Sequence, residues 1–191
     1  MMLSDEQFER GNIPMTKEEV RAVIMAKTAI VDDSSIIDIG AGTGSLSIQA
    51  ALLAKNGQVV AIEKNPESIS LIKTNCLKHG VQNLQIIEMA APEGLVGLSP
   101  ADVIIIGGSG GKLEDIISQG DQLLANKGRM IIPSVTLATL SESIGFLTEL
   151  KYRLDICQIA VTKYIPVKGH FMAKAHNPIF IITGKKEVEN E

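Results

Sequence analysis

Ile36-Ile-Asp-Ile-Gly-Ala-Gly-Thr-Gly-Ser45 is the stretch on which the fold turns. A run of apolar, β-branched residues passes directly into Gly40, Gly42 and Gly44, and a helical pattern opens at Ser45. Glycines at that spacing serve a turn whose backbone enters conformations closed to residues with a Cβ, and they let a ligand touch the main chain. The helix behind the turn offers N–H groups without intrahelical partners. Nineteen residues beyond Gly44 a second β-branched run ends at Glu63. A carboxylate at that place faces the ribose of a nucleoside ligand and can accept from both hydroxyls. Glycine-rich turns also close strands for steric reasons alone. A strand before the turn, a helix behind it and an acid ending the next strand together favour a ligand site.

Working outward, strands Ser35–Ile39, Gln58–Glu63, Leu84–Glu88, Asp102–Ile106 and Arg129–Pro133 alternate with helical patterns, which predicts a mostly parallel sheet. The helices are Ser45–Ala54, a segment capped by Asn65 with Pro66 first and Gly80 closing it, Lys112–Leu124 and Leu137–Leu150. A turn at Asn126–Gly128 precedes the fifth strand. Asp155–Ile165 and Ile179–Thr183 read as two further strands forming an antiparallel pair, joined by a long loop, Pro166–Pro178. An extra helix, Thr16–Lys27, comes first, with Thr16 and Glu19 as a capping box. The expectation is an α/β, Rossmann-like, seven-stranded sheet with one antiparallel C-terminal strand and helices on both faces. It forms one domain over 1–191: a helical extension (1–33), a cofactor-binding half (34–133) and a substrate-side half (134–184).

Composition narrows the function. The chain has 191 residues, 45% hydrophobic and 21% charged, enough to bury a core without disulfides or metals. With no Trp, two Tyr and four Phe there is no aromatic platform for single strands, and a net charge of −4 gives no reason to expect nucleic acid. Cys76 and Cys157 form no CxxC or His/Cys cluster, so free thiols are expected and no metal site. The polar N-terminus MMLSDEQFERGN has no signal-peptide core. No apolar run approaches the roughly 20 residues that span a bilayer. A cytoplasmic protein without membrane association is expected.

Two ligand classes compete for the glycine turn. A dinucleotide site prefers G-x-G-x-x-G, whereas here the third glycine comes one position early and Ser45 follows. Asp38-x-Gly40-x-Gly42-x-Gly44 resembles instead the first motif of Rossmann-like methyltransferases that use S-adenosylmethionine (AdoMet). Ile13-Pro-Met-Thr-Lys-Glu-Glu19, Ala91-Pro-Glu93 and Ile106-Gly-Gly-Ser-Gly-Gly111 sharpen the likeness. From about Glu9 to Gly184 the chain resembles the cobalt-precorrin-6B carbon-15 methyltransferase (decarboxylating) family of cobalamin biosynthesis. The resemblance implies AdoMet as cofactor, a corrin-precursor tetrapyrrole as substrate and a homotetramer. It implies cofactor contacts at Thr16, Gly40, Ala41, Gly42, Thr43, Gly44, Glu63, Ala90 and Ala91. Taken by spacing alone, Thr16 is equally a plain helix cap, and Glu63 also fits a solvated strand end. Where the family usually reads Gly-Asp-Ala-Pro-Glu this chain has Met89-Ala90-Ala91-Pro92-Glu93, so a carboxylate is missing and backbone groups of Ala90 and Ala91 are left to hold the adenine. A Rossmann-like methyltransferase for another small molecule, a protein or RNA, and a non-catalytic AdoMet-binding module, are the alternative readings.

Charge points to the substrate side. Residues 151–176 hold five Lys/Arg against Asp155, a net +4, which leaves −8 for the rest of the chain. A basic rim suits a macrocycle hung with carboxylates. Lys163, Lys168, His170 and Lys174 are the candidate contacts, although each also fits an ordinary solvated loop. Gly107, Gly108, Ser109, Gly110 and Gly111 read either as a tight turn or as a wall without side chains that a flat ring can approach. Methyl transfer to a ring carbon is an in-line displacement that needs alignment and desolvation more than a protein nucleophile. Loss of the ring acetate's carboxylate needs a proton afterwards, for which His170, Lys168 and Lys112 are the candidate donors.

Overall fold

The computed structural model describes residues 2–187. Its order is α1 (Glu18–Thr28), β1 (Ser35–Ile39), α2 (Ser45–Leu53), β2 (Gln58–Ile62), α3 (Pro66–His79), β3 (Leu84–Ile87), β4 (Ala101–Ile106), α4 (Leu113–Leu123), β5 (Leu124–Ser134), α5 (Leu137–Glu149), β6 (Arg153–Ile159), β7 (Thr162–Val167), β8 (His170–Ala175) and β9 (Ile179–Lys185). Seven strands form one sheet in the order β3-β2-β1-β4-β5-β9-β6. β9 alone runs antiparallel, between β5 and β6, as the sequence implied.

Strands buried on both faces need apolar residues at every position, and alternate residues go to opposite cores. Ile37, Ile104, Ile132 and Ile182 enter a core under α4 and α5, with Ile116, Ile117 and Leu147. Their chain neighbours Ile36, Val103, Ile131 and Ile181 enter the core under α1 and α2, with Ile24, Leu46 and Ala50. Helix boundaries follow local chemistry at α3. The Asn65 side chain accepts from the Glu67 and Ser68 N–H groups, Pro66 stands first, and Gly80 ends the helix at φ 65°.

Three expectations are corrected. The Thr16–Glu19 capping box does not form, because α1 starts after Lys17 and no side chain caps it. The buried Arg21 guanidinium takes the Thr16 carbonyl at 2.6 Å, and Glu19 turns to Lys163 instead. The segment Asp155–Ile165 is not one strand. It breaks between β6 and β7, and the supposed loop Pro166–Pro178 contains β8, paired antiparallel with β7 as a separate hairpin. Lys168 (φ 46°) and Gly169 (φ 84°) form its two-residue connection, the pair of left-handed residues a tight hairpin requires. Finally, β5 begins at Leu124, so the turn at Asn126–Gly128 is a bulge within it, where its register against β4 shifts. No helix among the described residues is long and apolar enough to cross a membrane.

Candidate active site

Chain order reverses between β1 and β4, which lie side by side. In open α/β sheets the crevice beyond such strand ends is where ligands bind. Here two turns leave that point in contact through their main chains. The Gly107 N–H donates to the Ile39 carbonyl at 2.8 Å. A Cβ on Gly40, whose φ is +70°, would stand 2.8 Å from the Gly108 nitrogen and 2.9 Å from its oxygen. Gly40 is therefore required twice, by its backbone angle and by its neighbour.

Glu63 sits just past β2 and closes the turn. Its Oε2 accepts from the Gly42 N–H at 2.8 Å, and its Oε1 accepts from the Lys64 and Asn65 N–H groups at 2.8 and 2.9 Å. A carboxylate offers about four acceptor positions. Three are taken, which leaves Oε2 the freer oxygen for a hydroxyl donor. Glu63 is thus more than a solvated strand end. Asp38, beneath the same turn, is 1% exposed, and its Oδ1 has no partner among the described residues. Burial pushes its carboxyl up to about 6, against hydrogen bonds from the Ser47 hydroxyl and N–H, with the Glu63 charge adding to the shift.

Two clefts flank the glycine turn. The first, about 230 Å³, lies between Gly40, Glu63, Met89, Ala90, Ala91 and the Gly108–Gly110 turn. The second, about 270 Å³, lies between Gly40–Thr43 and the segment Pro14–Thr16, with Gly107, Ser134, Val135 and Ile179 on its far side. The two share Gly40. An elongated ligand can lie across the turn with its hydroxyl-bearing part at Glu63 and its other end near Thr16. The aliphatic surface of Met89, Ala90 and Ala91 suits a flat ring, and the main-chain N–H groups suit a carboxylate or hydroxyl.

The structure therefore brings together Thr16, Gly40, Ala41, Gly42, Thr43, Glu63, Ala90, Ala91, Gly107, Gly108, Ser109 and Gly110 around one pair of clefts. Gly44 (φ +77°) serves as the cap of α2, where a Cβ would meet Ile72 at 3.0 Å. Lys112 stands beyond Gly111, and its ammonium pairs with Glu93 Oε1 at 2.6 Å, holding that carboxyl below the usual range. Lys163, Lys168, His170 and Lys174 line neither cleft; they lie on the β7–β8 hairpin. Lys163 pairs with Glu18 and Glu19 at 3.1 and 2.8 Å and so fastens that hairpin to α1. Sequence reasoning missed Met89 and Lys64 in the first cleft, and Met15 and Val135 in the second. Met15 and Met89 stand inside segments already singled out, where their neighbours drew the attention, and Lys64 and Val135 carry no motif of their own. Among the described residues no group of three or more His, Cys, Asp or Glu is placed to hold a metal ion.

Residues 6–186 match the family model described as the precorrin methyltransferase domain. The chain is 37% identical over 187 residues to the probable cobalt-precorrin-6B C(15)-methyltransferase (decarboxylating) of Sulfurisphaera tokodaii, covering 96% of this chain and 97% of that one. It is also 37% identical to the cobalt-precorrin-6B C(15)-methyltransferase (decarboxylating) of Salmonella typhimurium, covering 97% and 96%. Among solved structures, a precorrin-6Y C5,15-methyltransferase from Geobacter metallireducens superimposes with a TM-score of 0.92 at 38% identity, covering 96% of this chain and 97% of that one.

Proposed function

This chain belongs to the precorrin methyltransferase domain family, and on that premise we propose that it methylates a corrin precursor, of the cobalt-precorrin-6B kind, at carbon 15 and removes the carboxyl of a ring acetate, with AdoMet as methyl donor. The observation that carries this is the pair of clefts meeting at Gly40, one with a ribose-sized acceptor at Glu63 and one open toward Val135 and Ile179. The residues present fit the donor. Gly40 and Gly42 line the second cleft with main chain alone, and beneath the turn Asp38 Oδ1 is a buried acceptor without a partner among the described residues.

When bound, AdoMet supplies an electrophilic methyl group on a sulfonium. What the chain does is hold and align. Glu63 Oε2 orients the ribose, and Met89, Ala90 and Ala91 flank the adenine with no carboxylate at position 90. Gly107, in the second cleft, would present main chain without a side chain to the ring, so that its carbon can come close and in line. Gly108, Ser109 and Gly110 line the first cleft instead, on the adenosine side, and Gly111 lines neither cleft.

We assign residues 34–133 to the cofactor and 134–184 to the substrate side, in a single cytoplasmic domain. Lys168, His170 and Lys174 stand on the hairpin and line neither cleft, while Tyr164, Phe171 and Met172 are 68%, 75% and 53% exposed there. These exposed apolar residues support a homo-oligomer, a tetramer by family, in which the hairpin is covered. In such an assembly the hairpin's cations reach a neighbouring copy's substrate, and His170 or Lys168 can deliver the proton after decarboxylation.

The test is incubation of the purified protein with AdoMet and cobalt-precorrin-6B, followed by mass spectrometry. The expected product carries one added methyl group and has lost one carbon dioxide. AdoMet binding with no change in any tetrapyrrole would leave a binding module and contradict the proposal.

A further inference from the structure

Before α1 begins, residues 3–17 run along α3 from its carboxy-terminal end, where Gln7 meets His79, to its amino-terminal end, where the Asn12 N–H meets Glu67, and their last part forms one wall of the second cleft. A chain segment without strand partners keeps its place only if its main-chain groups are held elsewhere. Asn75, on α3 and 0% exposed, holds it. The Asn75 amide accepts from the Glu9 N–H at 2.8 Å and donates to the Glu9 carbonyl at 2.8 Å. The same Nδ2 donates to the Thr43 carbonyl in the glycine turn at 3.1 Å. One buried side chain therefore joins the crossing segment to the turn that it faces.

The neighbouring contacts share that helix face, as residues three and four apart do. Lys78 Nζ pairs with Glu9 Oε1 at 2.7 Å, and His79 Nε2 stands 2.9 Å from the Gln7 carbonyl. These two lie on the surface, whereas Asn75 is enclosed and alone reaches Thr43. Arg21, on α1, ties the segment's two ends together by donating to the Leu3 and Thr16 carbonyls, so that Asn75 holds its middle.

We propose that Asn75 is a positioning residue for the cofactor: by joining Glu9 to Thr43 it sets the distance between the Pro14–Thr16 wall and the glycine turn, and so the width of the second cleft. The inference rests on the function proposed above. Without the Asn75 amide the segment samples positions in which the cleft is too wide or too narrow. The apparent affinity falls in proportion to the fraction of time spent in the competent position. Asn83 supplies the comparison. Its amide also staples main chain, donating to the Ala51, Ala54 and Gly57 carbonyls, but at the opposite end of the sheet.

Wild type, Asn75→Ala, Asn75→Ser and Asn83→Ala are titrated calorimetrically with S-adenosylhomocysteine, well below each melting midpoint. Hydrogen exchange is followed at the Glu9 and Gly42–Gly44 amides. The Asn75 variants are expected to bind about tenfold more weakly, a competent fraction near one in ten, while Asn83→Ala stays within about twofold of wild type. Exchange should quicken at Glu9 and in the turn together for the Asn75 variants and at neither place for Asn83→Ala. A folded Asn75 variant that binds within about twofold of wild type overturns the proposal, and so does equal weakening by Asn83→Ala. Should wild type itself not bind S-adenosylhomocysteine, the function fails instead. Exchange then decides the coupling by itself: quickening at only one of the two places overturns it.

Discussion

The glycine turn after β1 and the β7–β8 hairpin both depend on left-handed glycines, yet they are built in opposite ways. Gly40 has φ +70° and its missing Cβ is the space that the Gly108 backbone occupies. Gly169 has φ +84° and nothing lies within 4 Å of where a Cβ would be. Around Gly40 the working groups are main-chain atoms and enclosed acids, fixed by the sheet. On the hairpin they are exposed cations and rings, with every residue of β8 open to solvent. The difference teaches where each half of the function is decided. Under the function proposed, the cofactor side would lie within one folded chain, whereas the hairpin's exposed groups would act against a neighbouring copy.

Alanine at the two glycines sharpens this contrast most. Gly40→Ala combines backbone strain with a 2.8 Å clash against main chain. It is expected to cost on the order of 3 kcal/mol in stability and to weaken S-adenosylhomocysteine binding by about 100-fold or more. Gly169→Ala meets only the strain, about 1–2 kcal/mol at most, and should leave cofactor binding unchanged. Denaturant melts and calorimetry on both variants check it. Equal losses of binding would erase the distinction.

Asp38 gives the next effect. Burial pushes its carboxyl up to about 6 from an ordinary 3.8, so the native state holds an extra proton between those values. Stability from this group is therefore present below pH 4 and lost as pH rises through 6, by on the order of 3 kcal/mol. Asp38→Asn should flatten that part of the stability–pH curve. A curve identical to wild type would show that the carboxyl does not titrate there.

The smallest effects belong to the hairpin. Exposed ion pairs contribute about 0.2–1 kcal/mol each, so Lys168→Ala with Lys174→Ala should raise KM for the tetrapyrrole by no more than about 30-fold and leave KM for AdoMet alone. The rise should shrink as salt increases. Steady-state kinetics at two ionic strengths test this, and a change in the AdoMet constant instead would place the hairpin on the cofactor side.

What the sequence made legible follows the same division. Strand–helix alternation, the Asn65–Pro66 start and the Gly80 stop of α3 rest on local chemistry, and they stand in the structure. The Thr16–Glu19 capping pattern is local too, but distant groups outcompete it: Arg21 takes the Thr16 carbonyl and Lys163, more than 140 residues away, takes Glu19. β8 was hidden because Phe171 and Met172 are both exposed, so no alternation marks the strand. Glu63 was placed correctly beside the turn. Its bond to Gly42, 21 residues back, needed the register of β1 on β2 to become visible.

The function proposed stands or falls on whether the glycine turn and Glu63 of one chain hold AdoMet. Calorimetric titration of wild type and Glu63→Ala with S-adenosylhomocysteine, and of wild type with NAD, tests it most directly. Hydrogen bonds to a charged acceptor contribute about 1.5–3 kcal/mol, so the expected result is one site per chain, affinity about 10- to 150-fold weaker in Glu63→Ala, and no comparable binding of NAD. The variant should also lose some stability, because three N–H groups surrender their acceptor. A folded Glu63→Ala that binds within about twofold of wild type would show that Glu63 does not hold the ribose, and a wild type that prefers NAD would show that the turn is not an AdoMet site.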